Sequence, residues 1–129
     1  MKHNSDFRYD LEIGQEMENK LSEILNSKRI EVKTDFIAHR TGNLAIEYEC
    51  RGKPSGIAVT EADYYAYIIP CAPLKNIILL MSVDILKRLC RLHYKRHNIK
   101  DMGDSNLSKS VLIPIQDLFR HGKEEKDGT

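Results

Sequence analysis

The chain has 129 residues, 41% hydrophobic and 30% charged, with a formal net charge of +1. Those values predict one globular domain over residues 1–129. They exclude a low-complexity chain and a globally basic one, so contact with a polyanion has to come from local patches. Cys50, Cys71 and Cys90 are widely spaced and not in metal-ligand spacing, which predicts reduced thiols in a cytoplasmic protein. The first residues lack an apolar signal core, and the longest apolar run, Ile77 to Met81, is too short to span a membrane.

Residues 1–6 are polar and are expected to be flexible. From Phe7 to Asn26 the apolar positions Leu11, Gly14, Met17, Leu21, Ile24 and Leu25 recur at helical spacing. Glu18 borders this stripe, where it can reach a neighbouring sheet or simply face solvent. The stretch Lys28 to Glu49 then alternates with period two. Ile30, Val32 and Thr34 oppose Glu31, Lys33 and Asp35, and Leu44, Ile46 and Tyr48 oppose Ala45, Glu47 and Glu49. With turn chemistry at Thr41-Gly42-Asn43, the pattern predicts a β-hairpin.

In one hairpin register Asp35 faces Glu47, and Lys33 faces Glu49. Facing side chains lie about 4.5–5.5 Å apart, where like charges repel. Opposed carboxylates there call for a hard divalent cation, magnesium or manganese. An amine beside them is the constellation for metal-assisted phosphodiester hydrolysis. A shift of two residues pairs Asp35 with Glu49 instead, and a shift of one separates the polar faces. The ordinary alternative is a solvated strand pair with a weak Lys33–Glu49 bridge.

The loop from Arg51 to Gly56 combines two glycines with Arg51 and Lys53, which suits phosphate contact or a plain solvated turn. It lacks the ending of a nucleotide-binding P-loop. Thr60 followed by Asp63 predicts a capped short helix over 61–66. Strands are predicted at Tyr67–Ile69 and Asn76–Val83, with Pro70 and Pro73 between them. A helix is predicted from Ile85 to His97, capped by Ser82 or Asp84. Its Leu86, Leu89, Cys90 and His93 line one face, and Lys87, Arg88, Arg91, Lys95 and Arg96 cover the rest. The usual explanation is a solvated helix face; the alternative is a phosphate-contacting patch, in which Arg88 and Arg91, with Arg40, Arg51 and Lys53, are the candidate nucleic-acid contacts. His93 and His97 lack a third ligand for zinc. A loop is expected from Asn98 to Asn106, and a last strand over Val111–Ile115, placed at an edge by Pro114. A turn of helix from Gln116 to Arg120 and a flexible tail over 122–129 complete the reading.

This order of elements, with Glu31-Val32-Lys33 inside it, resembles the PD-(D/E)xK nuclease superfamily of restriction enzymes, junction resolvases and phage endonucleases. The resemblance is carried best by Asp10 to Ile69. It implies an α/β fold with a restriction-endonuclease-like core, a central mixed sheet flanked by helices. It further implies magnesium- or manganese-dependent DNA cleavage in the cytoplasm, or a host's cytoplasm for a phage-encoded chain. A homodimer would suit a small enzyme that cuts two strands. Two motif assignments remain open. Glu31-Val32-Lys33 can be the (D/E)xK element, without an upstream strand aspartate. Alternatively Asp35 is the first acid and Glu47-Tyr48-Glu49 the second element, with Lys33 replacing the motif lysine from the adjacent strand. The second accounts for more charges on one face and makes Asp35, Glu47 and Glu49 the metal ligands. Glu18 resembles the first-helix glutamate of many members. The competing class is a non-catalytic nucleic-acid-binding or protein-interaction module on the same fold.

Overall fold

A computed structural model describes residues 2–119, with side chains from Arg8 onward. The elements are α1 (Lys2–Ser27), β1 (Ile30–Thr34), α2 (Ala38–Thr41), β2 (Asn43–Cys50), β3 (Lys53–Pro54), β4 (Tyr64–Cys71), β5 (Lys75–Ser82), α3 (Val83–Lys95), β6 (Ile99–Met102) and β7 (Ser108–Pro114). Short 3-10 turns lie at Gly56–Ala58, Asp104–Asn106 and Ile115–Phe119. The fold is α/β with two sheets. One is mixed and three-stranded, in the order β1-β4-β5; the other is antiparallel and four-stranded, in the order β3-β2-β7-β6.

The predicted hairpin does not form. β1 pairs in parallel with β4, and β2 pairs with β3 and β7. The cause is local. The Asp35 carboxylate accepts the backbone N–H groups of Ile37 and Ala38 at 3.1 and 3.0 Å, and this winds the chain into the single helical turn of α2. Gly42, at φ 75°, then ends the turn in the left-handed region. A helical turn between the arms sends them into different sheets, where a two-residue turn would have paired them.

Burial on β1 also runs against its hydrophobic pattern. The register places Glu31 beside Tyr65 and Lys33 beside Tyr67, so the charged side of β1 shares the inner face with two buried tyrosines. Val32, on the other side, is 60% exposed, while Asp35 is only 7% exposed. The core itself lies between the sheets and α3. Leu44, Ile46, Val111 and Ile113 meet Tyr67 and Ile69 together with Val83, Leu86 and Cys90 of α3. The helical spacing of those α3 positions is what the sequence displays, although α3 begins two residues before the predicted start. Ser82 occupies its N-cap position without a side-chain hydrogen bond.

The capped helix predicted over 61–66 is replaced by the start of β4. The Thr60 hydroxyl accepts the Ala62 N–H at 3.1 Å, two residues on, which is a turn rather than a helix cap. The Asp63 and Tyr64 N–H groups donate to the Arg29 carbonyl, and the Asp63 carboxylate takes the Arg29 N–H at 2.9 Å, fixing this segment beside β1. β6 occupies part of the predicted 98–106 loop. Pro70 lies inside β4, and Pro114 ends β7, which is an internal strand. Each falls where its strand keeps a partner on one side alone. Pro70 pairs with Asn76 beyond the end of β1, and Pro114 pairs with Asn43 beyond β6. α1 starts at Lys2, five residues before the predicted helix start at Phe7. The tail over 122–129 lies outside the described residues. No helix among the described residues is long and apolar enough to cross a membrane.

Candidate functional site

The two sheets meet around a cleft of about 410 Å³. Lys33 and Asp35 enter it from β1 and its end, and Glu47 enters from β2. Tyr65, Tyr67, Gly56, Ser108 and Ser110 complete much of the wall. Three charged residues that the sequence singles out therefore converge, through contact between sheets and not across a hairpin.

Asp35 holds this junction together. Its Oδ1 takes the Ile37 and Ala38 N–H groups, and its Oδ2 takes the Ala45 N–H at 3.1 Å. The Tyr67 hydroxyl donates to the Ala45 carbonyl at 3.3 Å. Ala45 of β2 is thus clamped at both backbone groups by residues of the other sheet. Oδ2, which takes a single N–H, retains one acceptor lone pair, whereas Oδ1 is fully used.

Lys33 is oriented by a short chain of polar groups. Its ammonium bonds Glu31 Oε2 at 2.7 Å, and Glu31 Oε1 accepts the Thr60 hydroxyl at 2.7 Å. The Lys33 ammonium, helped by the Thr60 hydroxyl, holds the Glu31 carboxyl below its usual range against partial burial. The same ammonium lies 5.9 Å from the centre of the Tyr65 ring. Burial, followed by the negative charge of Glu31, pushes the Tyr65 phenol up to about 12. The buried Tyr65 hydroxyl lacks a well-formed hydrogen bond, having only a marginal contact with Thr60. Burial likewise raises Tyr67, so both phenols are neutral at ordinary pH.

Glu47 and Glu49 do not share a face. Glu47 pairs with Ser110 and Glu49 pairs with Lys109, so two steps along β2 match one along β7. Tyr48 is the extra residue of a β-bulge. Glu47 stays on the cleft side with Ser110, and Glu49 turns to the far side, 3.6 Å from the Lys109 ammonium. The Glu47 carboxylate has no hydrogen-bond or ion-pair partner among the described residues. The chain also folds tightly over this position. A Cβ at Gly56 would overlap the Glu47 carbonyl oxygen, and Gly56 has φ 52°, so glycine is required twice over.

Three carboxylates from Asp35, Glu47 and Glu49 therefore do not converge. No group of three or more His, Cys, Asp or Glu suited to a metal occurs among the described residues. Asp35, Glu47, Ser108 and Ser110 line the same cleft, so the donors they could offer a cation are all oxygens, which would suit magnesium or manganese, ions that keep several waters, better than zinc. Glu18 is exposed on α1 and does not line the cleft.

None of the candidate nucleic-acid contacts lines the cleft either. Arg40 is exposed on α2, Arg51 and Lys53 flank the β2–β3 turn, and Arg88 is exposed on α3. Arg91 joins Lys87 and Lys95 around a second hollow of about 370 Å³, floored by Tyr48, Ile57 and Val111. The sequence reading missed Tyr65, Tyr67, Ser108 and Ser110 as cleft residues, and it offered Gly56 only as part of a phosphate-contacting loop. A signal existed for the tyrosines, since Tyr65, Tyr67 and Ile69 alternate with period two through the segment read partly as helix.

The fold and site together define an α/β protein with a charged cleft at the junction of two sheets. Comparison with family models, with curated proteins and with solved structures gave no significant match.

Proposed function

We propose that the cleft is a magnesium-dependent site for hydrolysing phosphodiester bonds in DNA, on a core related to that of the restriction endonucleases. One observation carries the reading. Lys33, Asp35 and Glu47 come from two different sheets yet line one cleft, and β1 turns its charges inward while leaving Val32 exposed. Inward charges on a strand oppose folding and persist where a site needs them.

In this reading Asp35 Oδ2 and Glu47 hold the cation. Lewis-acid stabilisation of the phosphate is the chemistry a bound magnesium supplies. Lys33 has three N–H donors, and Glu31 occupies one direction, which leaves the others for a phosphate oxygen. Glu31 and Thr60 are positioning residues that fix the ammonium. Both motif assignments are then partly used, Glu31-Val32-Lys33 to place the amine and Asp35 with Glu47 to place the metal.

A non-catalytic interaction module is the second reading. It is favoured by the three backbone hydrogen bonds of Asp35, which account for its burial without any ligand. Incubation of the purified chain with supercoiled plasmid and with branched DNA, with and without magnesium, separates the two. Magnesium-dependent cleavage that is lost in folded Lys33→Ala is the expected result. A wild-type chain that cuts neither substrate supports the module. Cleavage by Lys33→Ala at the wild-type rate places any activity outside this cleft.

A further inference from the structure

The outer face of the three-stranded sheet is partly exposed, and its strand positions carry no charge. The strand registers place Ile30, Val32 and Thr34 on it from β1, and the even-numbered positions from Tyr64 to Pro70 and from Asn76 to Ser82 on it from β4 and β5. Every one is uncharged, in contrast to the inner face with Glu31 and Lys33. Val32 and Ile78 on this face are 60% and 63% exposed. A second bare apolar surface lies beside it in the chain. α1 is 26 residues long, and among its described side chains Ile24 alone is buried. Met17, Leu21 and Leu25 continue the same stripe of the helix and remain exposed. An isolated helix of this kind gains little from propensity and takes most of its stability from packing its apolar face.

We propose that α1 of one copy packs its stripe on this sheet face of a second copy, and receives the second copy's α1 on its own, in a two-fold symmetric dimer. Each copy offers one unpartnered helix stripe and one unpartnered sheet face, so a reciprocal exchange covers all four surfaces, as an isologous interface requires. Helix on sheet is also the ordinary layer packing of α/β proteins. The dimensions agree. The stripe from Ile13 to Leu25 is about 20 Å long at 1.5 Å per residue, and an eight-residue strand is about 26 Å. Ile13, Met17, Leu21 and Leu25 on the stripe and Val32 and Ile78 on the sheet face are each 38–63% exposed, and their burial would count toward the roughly 800 Å² per partner of a standard interface. An unrelated partner seated on either surface alone would leave the other bare. This inference is independent of the reading of the cleft.

Sedimentation or light scattering of the full chain over a micromolar dilution series tests it, with circular dichroism to check folding. The wild-type chain should be a dimer that dissociates on dilution. Met17→Lys and Ile78→Glu should each be folded monomers, since both positions are exposed. Mixing the two variants should restore a dimer, because the new lysine then meets the new glutamate across one contact while the other contact stays native. A wild-type monomer throughout the series overturns the proposal. So does a dimer that survives Ile78→Glu, which would put α1 against α1, and so does a mixture that stays monomeric.

Discussion

Glu47 and Glu49 stand two residues apart on one strand and face opposite sides of it, because a bulge at Tyr48 reverses the alternation between them. Glu47 looks into the cleft with Ser110, whereas Glu49 pairs with Lys109 on the other side. Their chemical roles should separate accordingly. Glu47→Gln should lower magnesium-dependent plasmid nicking by about 100-fold or more, the scale of losing a group that acts on developing charge. Glu49→Gln removes a partly exposed ion pair worth under about 1 kcal/mol and should leave the rate unchanged. Equal losses in the two variants would rule out the bulged arrangement of the site.

Asp35 has a structural role that the alternation conceals. In a hairpin, neutralising it would relieve repulsion with Glu47 and stabilise the protein. In the fold, its carboxylate satisfies the Ile37, Ala38 and Ala45 N–H groups. Asp35→Asn would turn an amide donor toward the Ala45 N–H or toward the α2 turn. It should cost about 1–3 kcal/mol, and Asp35→Ala more, through buried donors left without acceptors. Urea midpoints of the two variants give the sign directly. A higher midpoint for Asp35→Asn would mean that charge repulsion dominates after all.

His93 is a buried core residue on α3, at 1% exposure. The Asn98 side-chain amide lies 2.9 Å from Nδ1, and Nε2 faces the Asp117 carboxylate at 3.0 Å in an oblique contact. The ring therefore ties α3 to the segment before β6 and to the turn after β7. His93→Leu would strip polar partners from Asn98 and Asp117, and it should cost about 2–3 kcal/mol. Thermal denaturation should show a melting temperature lower by roughly 10 °C. His93 is not among the cleft residues, so cleavage by the folded variant should be retained.

Cys90 is the third of the free thiols and the one that is buried. Burial pushes it up to about 12 from an ordinary value of 9.0. Because the thiolate is the reactive form, its population near neutral pH is about a thousandfold below that of an ordinary cysteine. A disulfide reagent at pH 8 should therefore modify Cys50 and Cys71 ahead of Cys90, with Cys90 reacting on the timescale of unfolding. Mass spectrometry of the modified peptides checks the order. Rapid labelling of Cys90 in the folded chain would contradict its burial against Val111 and Ile57.

The sequence by itself determined the local patterns. The 3.6-residue period of α3 and the two-residue period of β2 are written in side-chain types, because one buried face selects them, whereas the apolar sides of α1 and β1 are equally periodic yet remain largely exposed. It also singled out Lys33, Asp35 and Glu47, since charge in an alternating strand is conspicuous wherever that strand ends up. Only the tertiary structure decided which strands pair. Asp35 bonding to Ile37 and Ala38 turns the chain between β1 and β2, and Arg29 with Asp63 draws β4 alongside β1 instead. The bulge at Tyr48 was equally hidden, because a bulge arises from the match between β2 and β7, two strands about sixty residues apart in sequence. Periodicity reports which residues share a side of their own strand. Which side is buried, and against what, depends on partners that lie far along the chain.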